Sequence, residues 1–335
     1  MFRWLPIVFL FFAGFTHAQD IHFSQFNGSL LNISPAFTGM FPGDYRVGAI
    51  FRSQWQSVPV NYNTFSLNGE TRLQPLALKK DMIGVGILFN NDRAGDARYG
   101  TTQFYVNGSY IVLAKEDSSL LISTGLNLGW GQVGFDLSKM TFDSQFDGGL
   151  YNSSMPTGES FSWQQRNFFD MNAGAALRYL HNEKHLWTYG FGIYHVTRPR
   201  ISYQGDEFSR LDNKICNYLS YITPIRPQTD IIAEMLFTLQ GKNYELIPHA
   251  SLRYHINPDE ARTIQGGMAL RARDAIVARL GYNHGTLQTG LSYDVNFSSF
   301  TPATNRRGGF EIFVNYIIRV KPGFLARKRY CPVFL

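Results

Sequence analysis

The residues that could do chemistry are few, and their spacing decides against most of them. Gly129-Trp130-Gly131-Gln132-Val133-Gly134 fits the G-x-G-x-x-G string. A phosphate-binding turn needs a following helix, whose free amides hold the anion. Here the glycines close an alternating stretch and run into a loop, so small residues on an inward face account for them better. Asp143-Ser144-Gln145-Phe146-Asp147-Gly148 resembles the start of a calcium loop, but Ser154 stands where the acidic closing ligand belongs. A solvated loop is the simpler reading, with weak calcium binding near Asp143 and Asp147 left open. His181, Glu183 and His185 are metal-ligand types placed in a tight turn rather than at the helical spacing of H-E-x-x-H. No G-x-S-x-G occurs and no Ser/His or Cys/His pairing stands out. Nothing points to an enzyme, a cofactor or a resident metal. Cys216 and Cys331 are compatible with one bridge or with two incidental thiols.

The elements that would position these residues are strands. Gly285 to Phe297 puts Leu287, Thr289, Leu291, Tyr293 and Val295 on one face and Gln288, Ser292, Asp294 and Asn296 on the other. Such a stretch exceeds an ordinary soluble strand and suits the roughly 9–11 residues that cross a bilayer at a tilt. The pattern recurs about fourteen times between Tyr45 and Arg319, the seventh time over Leu186–Thr197. Leu120, Ile122, Thr124, Leu126, Leu128 and Trp130 oppose Ser123, Gly125, Asn127 and Gly129. Phe169, Met171, Ala173, Ala175, Leu177 and Tyr179 oppose Asp170, Asn172, Gly174 and Arg178. Phe310, Ile312, Val314, Tyr316 and Ile318 oppose Glu311, Asn315 and Arg319. A soluble sandwich also alternates, but Arg, Asp, His and Asn between apolar residues on so many long strands fit lipid outside and a polar lumen inside. The longest connections, Gln132–Arg166 and Arg198–Asn213, follow the fifth and seventh strands, as outward loops would.

Composition agrees. Aromatic residues make up 15% of the chain, with 28 Phe and 18 Tyr, while charged residues are only 17%, below the usual quarter. The net charge of +6 is spread out, without a basic and aromatic cluster, so nucleic acid is not an expected partner. Residues 1–18 read as a cleaved export signal, with Arg3, the apolar run Leu5 to Phe15, and Thr16-His17-Ala18. After Ala18 no run of 18 apolar residues occurs, which leaves a closed barrel as the way to span a membrane. The expected organisation is a signal at 1–18, a lead-in at 19–42 that plugs the lumen or lies in the periplasm, and an all-β, transmembrane antiparallel outer-membrane β-barrel of about 14 strands at 43–320. A basic periplasmic tail follows at 321–335, where Arg327, Lys328 and Arg329 are candidate docking residues.

Several pieces, in order along nearly the whole chain, resemble the PorP/SprF membrane proteins of the type IX secretion system of Bacteroidota. They begin with Phe23-Ser24-Gln25-Phe26 and Asn32-Ile33-Ser34-Pro35-Ala36-Phe37-Thr38-Gly39, where the family usually has Asn in place of Ser34. Phe51-Arg52-Ser53-Gln54-Trp55 and Asn91-Asp92-Arg93-Ala94-Gly95-Asp96 follow. Phe135-Asp136-Leu137-Ser138-Lys139-Met140-Thr141-Phe142 then leads into Asp143 to Gly148, and His195-Val196-Thr197-Arg198-Pro199 and Cys331-Pro332-Val333-Phe334 complete the set. The resemblance implies an outer-membrane barrel that helps a secreted, adhesin-like cargo with a type B C-terminal sorting domain reach or stay on the cell surface, in some members for gliding. It also implies secretion-system components and outer-membrane lipid as partners, and no cofactor.

On this reading the loop Gln132–Trp163 is the candidate partner-binding loop. Phe135, Phe142, Asp143, Phe146, Asp147 and Tyr151 are its candidate residues, because exposed aromatics are costly in water unless used. The rival is that these rings fold inward over the barrel mouth. Phe23, Gln25, Phe26, Pro35 and Phe37 are candidate lead-in contacts. Two other classes stay open: a passive diffusion channel for small solutes, and a soluble carbohydrate-binding β-sandwich that fractionates without detergent.

Overall fold

The computed structural model describes residues 20–55, 61–78, 80–114, 119–147, 149–203, 209–257, 260–298 and 301–320. The expected export signal at 1–18 and the tail with Arg327, Lys328, Arg329 and Cys331 lie outside the described residues.

Among the described residues sixteen strands follow in chain order. They are β1 (Tyr45–Gln54), β2 (Tyr62–Leu73), β3 (Met82–Ala94), β4 (Tyr99–Leu113), β5 (Leu120–Gly134), β6 (Phe146–Asp147), β7 (Leu150–Tyr151) and β8 (Gln165–His181). Then come β9 (His185–Tyr194), β10 (Lys214–Arg226), β11 (Thr229–Gln240), β12 (Asn243–Asn257), β13 (Arg262–Arg271), β14 (Ala275–His284), β15 (Leu287–Asn296) and β16 (Arg307–Ile318). Strands β6 and β7 form a small separate hairpin within one connection. The other fourteen form one closed antiparallel barrel, each beside its neighbour in the chain. Closure comes from β1 pairing with β16, from Tyr45 opposite Ile318 to Gln54 opposite Gly309. Hydrocarbon cannot satisfy a free strand edge, and this seam removes the last one.

The period-2 pattern sets the faces. On β5, Ile122, Leu126, Leu128 and Trp130 are exposed, while Leu121, Ser123, Asn127 and Val133 are buried inward. On β16, Phe310, Ile312, Val314, Tyr316 and Ile318 face out, and Glu311 and Asn315 are buried. Trp187 and Tyr221 stack with ring centroids 4.2 Å apart at the end opposite the long connections, where an interfacial aromatic girdle belongs. The two long connections, 135–164 and 195–213, share the other end of the barrel, hereafter the long-loop end.

Two expectations change. The seventh barrel strand, read as running to Thr197, stops at Tyr194, because His195 turns to φ 59° and leaves the ladder. The lumen is polar only in part. Phe26, Leu31, Ile33, Ala36, Phe37 and Met40 of the lead-in pack with inward Leu88, Tyr105, Leu121, Tyr218, Leu236 and Ile247 into an apolar core inside the ring. Cys216 belongs to this core and carries a free thiol.

Leu126, near the middle of β5, is exposed to lipid, so Leu126→Arg should destabilise the barrel by about 2–4 kcal/mol. Urea unfolding in lipid vesicles measures this, and a loss near zero would mean that the face touches water or protein.

Candidate functional site

The structure gathers its buried polar chemistry around one segment, the lead-in from Asp20 to Asp44. It enters at the long-loop end, descends the lumen through 3₁₀ turns at Phe26–Gly28, Leu30–Asn32 and Pro35–Phe37, and reaches β1 at the opposite end. Such a path has no ladder to satisfy its amides and carbonyls, so side chains on the wall must do it. The Ser24 and Gln25 amides donate to the two carboxylate oxygens of Glu311 at 2.6 and 2.7 Å. The Gly39 amide donates to Glu70 at 2.8 Å, and Glu70 is in turn paired with Arg46 at 2.7 Å. Arg178 and Arg72 donate to the carbonyls of Met40 and Phe41 at 3.1 and 3.0 Å.

A chain of charges fixes the upper part. Arg52 donates to the His22 carbonyl at 2.9 Å and pairs with Asp294 and Glu311, both at 3.2 Å, with all three side chains sealed from solvent. Arg271 reaches Glu245 and Asp274 at 3.1 Å and Asp294 at 3.3 Å, and also donates to the Ser24 hydroxyl. At the entrance, the Asp20 carboxylate meets Lys214 at 3.3 Å and His195 at 3.4 Å, and His195 holds Asp170 at 2.8 Å through its other ring nitrogen. Burial opposes charge on Asp20, yet Lys214 and His195 outweigh it and hold the carboxyl well below the usual range. Burial likewise pulls the His195 imidazole down, but its bonds to Asp170 and Asp20 win and push it up to about 9.

The seat is cut to backbone size. A Cβ on Gly125 would lie 2.5 Å from the Ala36 nitrogen, one on Gly84 2.2 Å from the Thr38 oxygen, and one on Gly192 2.1 Å from the Ile33 oxygen. Alanine at any of these would collide with lead-in backbone rather than with a side chain that could move aside. Inward glycines of the G-x-G-x-x-G string work similarly, since a Cβ on Gly129 or Gly131 would meet the rings of Tyr105 or Phe168. No α-helix follows this string: β5 runs through to Gly134, and only a 3₁₀ turn at Leu137–Lys139 comes next.

The structure places the sequence-predicted residues as follows. Of the lead-in set, Phe23, Gln25, Phe26, Pro35 and Phe37 are all buried in the lumen. Phe26 and Phe37 both stand edge-on to Tyr218, at 5.9 and 5.8 Å. The loop set divides. Phe135 is buried between Phe161 and Tyr203 at 5.1 and 4.9 Å, and Phe142 leans on Phe161. Phe146 and Tyr151 face one another across the β6–β7 hairpin at 5.6 Å and remain about half exposed. Leu150, which sequence reasoning passed over, is 78% exposed at the same tip. Asp143 and Asp147 are exposed, and among the described residues no group of three His, Cys, Asp or Glu is placed to hold a metal. Sequence reasoning also missed Arg52 and Lys214 as partners of the lead-in, where the signal was charge at inward positions of otherwise apolar strands, and His195, which stands just past the end of β9 and carried no such signal.

His195 supplies a pH test. Its folded-state value lies above its usual 6.5, so its contribution is complete below about 6.5 and disappears as pH rises through about 9. Hydrogen–deuterium exchange at Ile21 to Ser24, corrected for intrinsic rate, should therefore accelerate across that window. In His195→Gln the step should be absent.

With the geometry in place, known proteins offer a comparison. Among solved structures the chain is similar to a Pseudomonas aeruginosa FadL homologue, with 9% identity over 84% of this chain and 92% of that chain and a TM-score of 0.48. It is also similar to the Pseudomonas putida toluene transporter TodX (9% identity, 85% and 91% covered, TM-score 0.48) and to CdiB from Acinetobacter baumannii (8%, 82% and 60%, 0.44). No curated protein matches the sequence. The fold assignment rests on the closed strand order itself. Residues 15–316 match the family described as type IX secretion system membrane protein PorP/SprF, and the chain belongs to that family.

Proposed function

We propose that this barrel is a holding station in the outer membrane, where an exported protein is passed to or retained on the cell surface by the long loops. The cargo in this reading is adhesin-like and carries a type B C-terminal sorting domain, as in a gliding or attachment apparatus of Bacteroidota. The chain would arrive by a cleaved signal at residues 1–18, and Arg327, Lys328 and Arg329 would dock a periplasmic component of the secretion system.

The observation that carries the proposal is the apolar hairpin tip on the longest connection. Phe146, Leu150 and Tyr151 stand exposed beyond the membrane-facing wall, on a loop whose own aromatics, Phe135, Phe142 and Phe161, are spent on folding it. An exposed apolar cluster on a loop with a rigid base fits a protein contact. The lead-in across the lumen favours holding over free passage of solutes. A diffusion channel remains the rival, and steady conductance of the purified barrel in a planar bilayer would favour it.

Deleting the protein should abolish surface display of one large exported protein while its synthesis continues. The triple change Phe146→Ser, Leu150→Ser, Tyr151→Ser leaves the barrel wall untouched. It should cut display by about tenfold or more if the tip is an interface centre. Protease shaving of intact cells reads both, and wild-type display in the deletion strain would refute the proposal.

A further inference from the structure

Above the lead-in the lumen opens into a vestibule of about 640 Å³ at the long-loop end, floored by Asp20, Ile21 and His22. Its size is that of a ligand pocket rather than a packing gap, and nothing in the holding role accounts for its chemistry. One wall is built by the β2–β3–β4 ladder. Thr64 and Thr101 stand directly opposite Asp92 on either side, and Tyr62 and Tyr99 lie two residues further along the same inward face. Tyr62 and Tyr99 stand directly opposite Ala94, on the two strands beside Asp92 and diagonal to it. Trp55 backs Tyr62 edge-on at 5.0 Å.

Asp92 accepts one hydrogen bond, from the Thr64 hydroxyl at 2.5 Å, and among the described residues it forms no ion pair, with Arg52 acting on it only at a distance. Arg93 and Arg98 line a smaller adjoining cavity of about 280 Å³ without pairing with it. Nearby acids do not share a surplus of positive charge either. Among the described residues, Glu245, Asp274, Asp294 and Glu311 share their ion pairs with two guanidinium groups, those of Arg52 and Arg271. Lys214 and His195 are taken by Asp20 and Asp170. Burial and the neighbouring Arg52, Arg271 and Lys214 push the His22 imidazole well below its usual value, so it adds no positive charge.

The connections at this end whose placement is not described, 56–60, 204–208 and 299–300, contain no Lys or Arg. A carboxylate with two tyrosines diagonal to it in a half-enclosed pocket is a setting that takes an ammonium or guanidinium group. We infer that the vestibule receives a Lys- or Arg-bearing segment of the exported partner, its cation seated on Asp92 between Tyr62 and Tyr99. The inference rests on the holding role proposed above and deepens it: the hairpin tip offers apolar contact, and the vestibule adds a charge requirement.

Calorimetric titration of the detergent-purified full-length barrel with a tetralysine peptide tests it, with tetraglutamate as the opposite-charge probe. Tetralysine should bind and weaken as salt is raised, and tetraglutamate should not bind. Asp92→Asn keeps the shape and an acceptor for Thr64, and should weaken tetralysine about tenfold, the equivalent of one partly buried charge contact. Equal affinity in Asp92→Asn overturns the inference, as does binding of tetraglutamate. Absence of tetralysine binding also overturns it, and is the result expected if this chain's own residues before Asp20 fill the vestibule. The titration uses no exported protein, so it can fail while display still depends on the barrel, and the deletion experiment can fail while the pocket still binds.

Discussion

Hydrocarbon offers no hydrogen-bond partner, and everything else in the molecule follows from that constraint. The first and last barrel strands must meet, and they do so over the full length of β1. Once the ring closes, each strand has one side toward lipid and one toward the interior, so a period of two in the sequence becomes an inside and an outside. Closure also fixes a width. Eight strands make a ring that side chains alone can fill, whereas fourteen enclose more space than inward side chains can occupy. The lead-in occupies much of that space, which is why a segment without long helix or strand is nevertheless almost wholly buried.

A buried irregular segment inherits a second constraint, because its amides and carbonyls are as costly unpaired as those of an open edge. The wall answers with carboxylates for amides and guanidinium groups for carbonyls. Glu311 and Glu70 take donors, and Arg52, Arg72 and Arg178 cover acceptors. Such buried pairs contribute little net stability against their desolvation cost. Their effect is positional. Removing one member strands its partner in a dry interior, so the network penalises any displacement of the lead-in more than it rewards its presence.

The wall was largely legible from sequence and the interior was not. Alternation alone located all fourteen barrel strands, because lipid contact imposes the same rule on every one. It overran β9 by three residues, since Val196 and Thr197 continue the apolar texture and only the backbone turn at His195 ends the strand. It placed Asp294, Glu311, Asp170 and Arg178 on inward faces without naming their partners. Those partners lie far away in sequence: Arg52 joins Asp294 from β15 and Glu311 from β16, and Asp20 joins Lys214 across the lumen. Periodicity reports what one strand faces, whereas pairing across a lumen depends on registers that accumulate around the ring. In the loop, residue type shows that Phe135 and Phe146 are both apolar but not which of them packs on Phe161.

The pieces that carry the family likeness acquire a common physical meaning here. Ser24 and Gln25 meet Glu311; Ser34 to Thr38 lie on the inward glycines; Arg52 caps the His22 carbonyl; His195 clasps Asp20. Four pieces scattered along the chain therefore build one object, the seated lead-in. The loop piece does something different: Asp136 caps the turn at Leu137–Lys139, Gln145 binds the Met155 carbonyl, and Phe135 anchors the base. It shapes the platform and leaves the tip free. A barrel that held its partner through the lumen would need the lead-in to move, and the glycine seat and charge network oppose that. The recognition proposed above accordingly falls on surfaces that would move nothing when occupied, the hairpin tip and the vestibule above the lead-in. The fixed interior would then be the rigid support for discrimination by shape and charge.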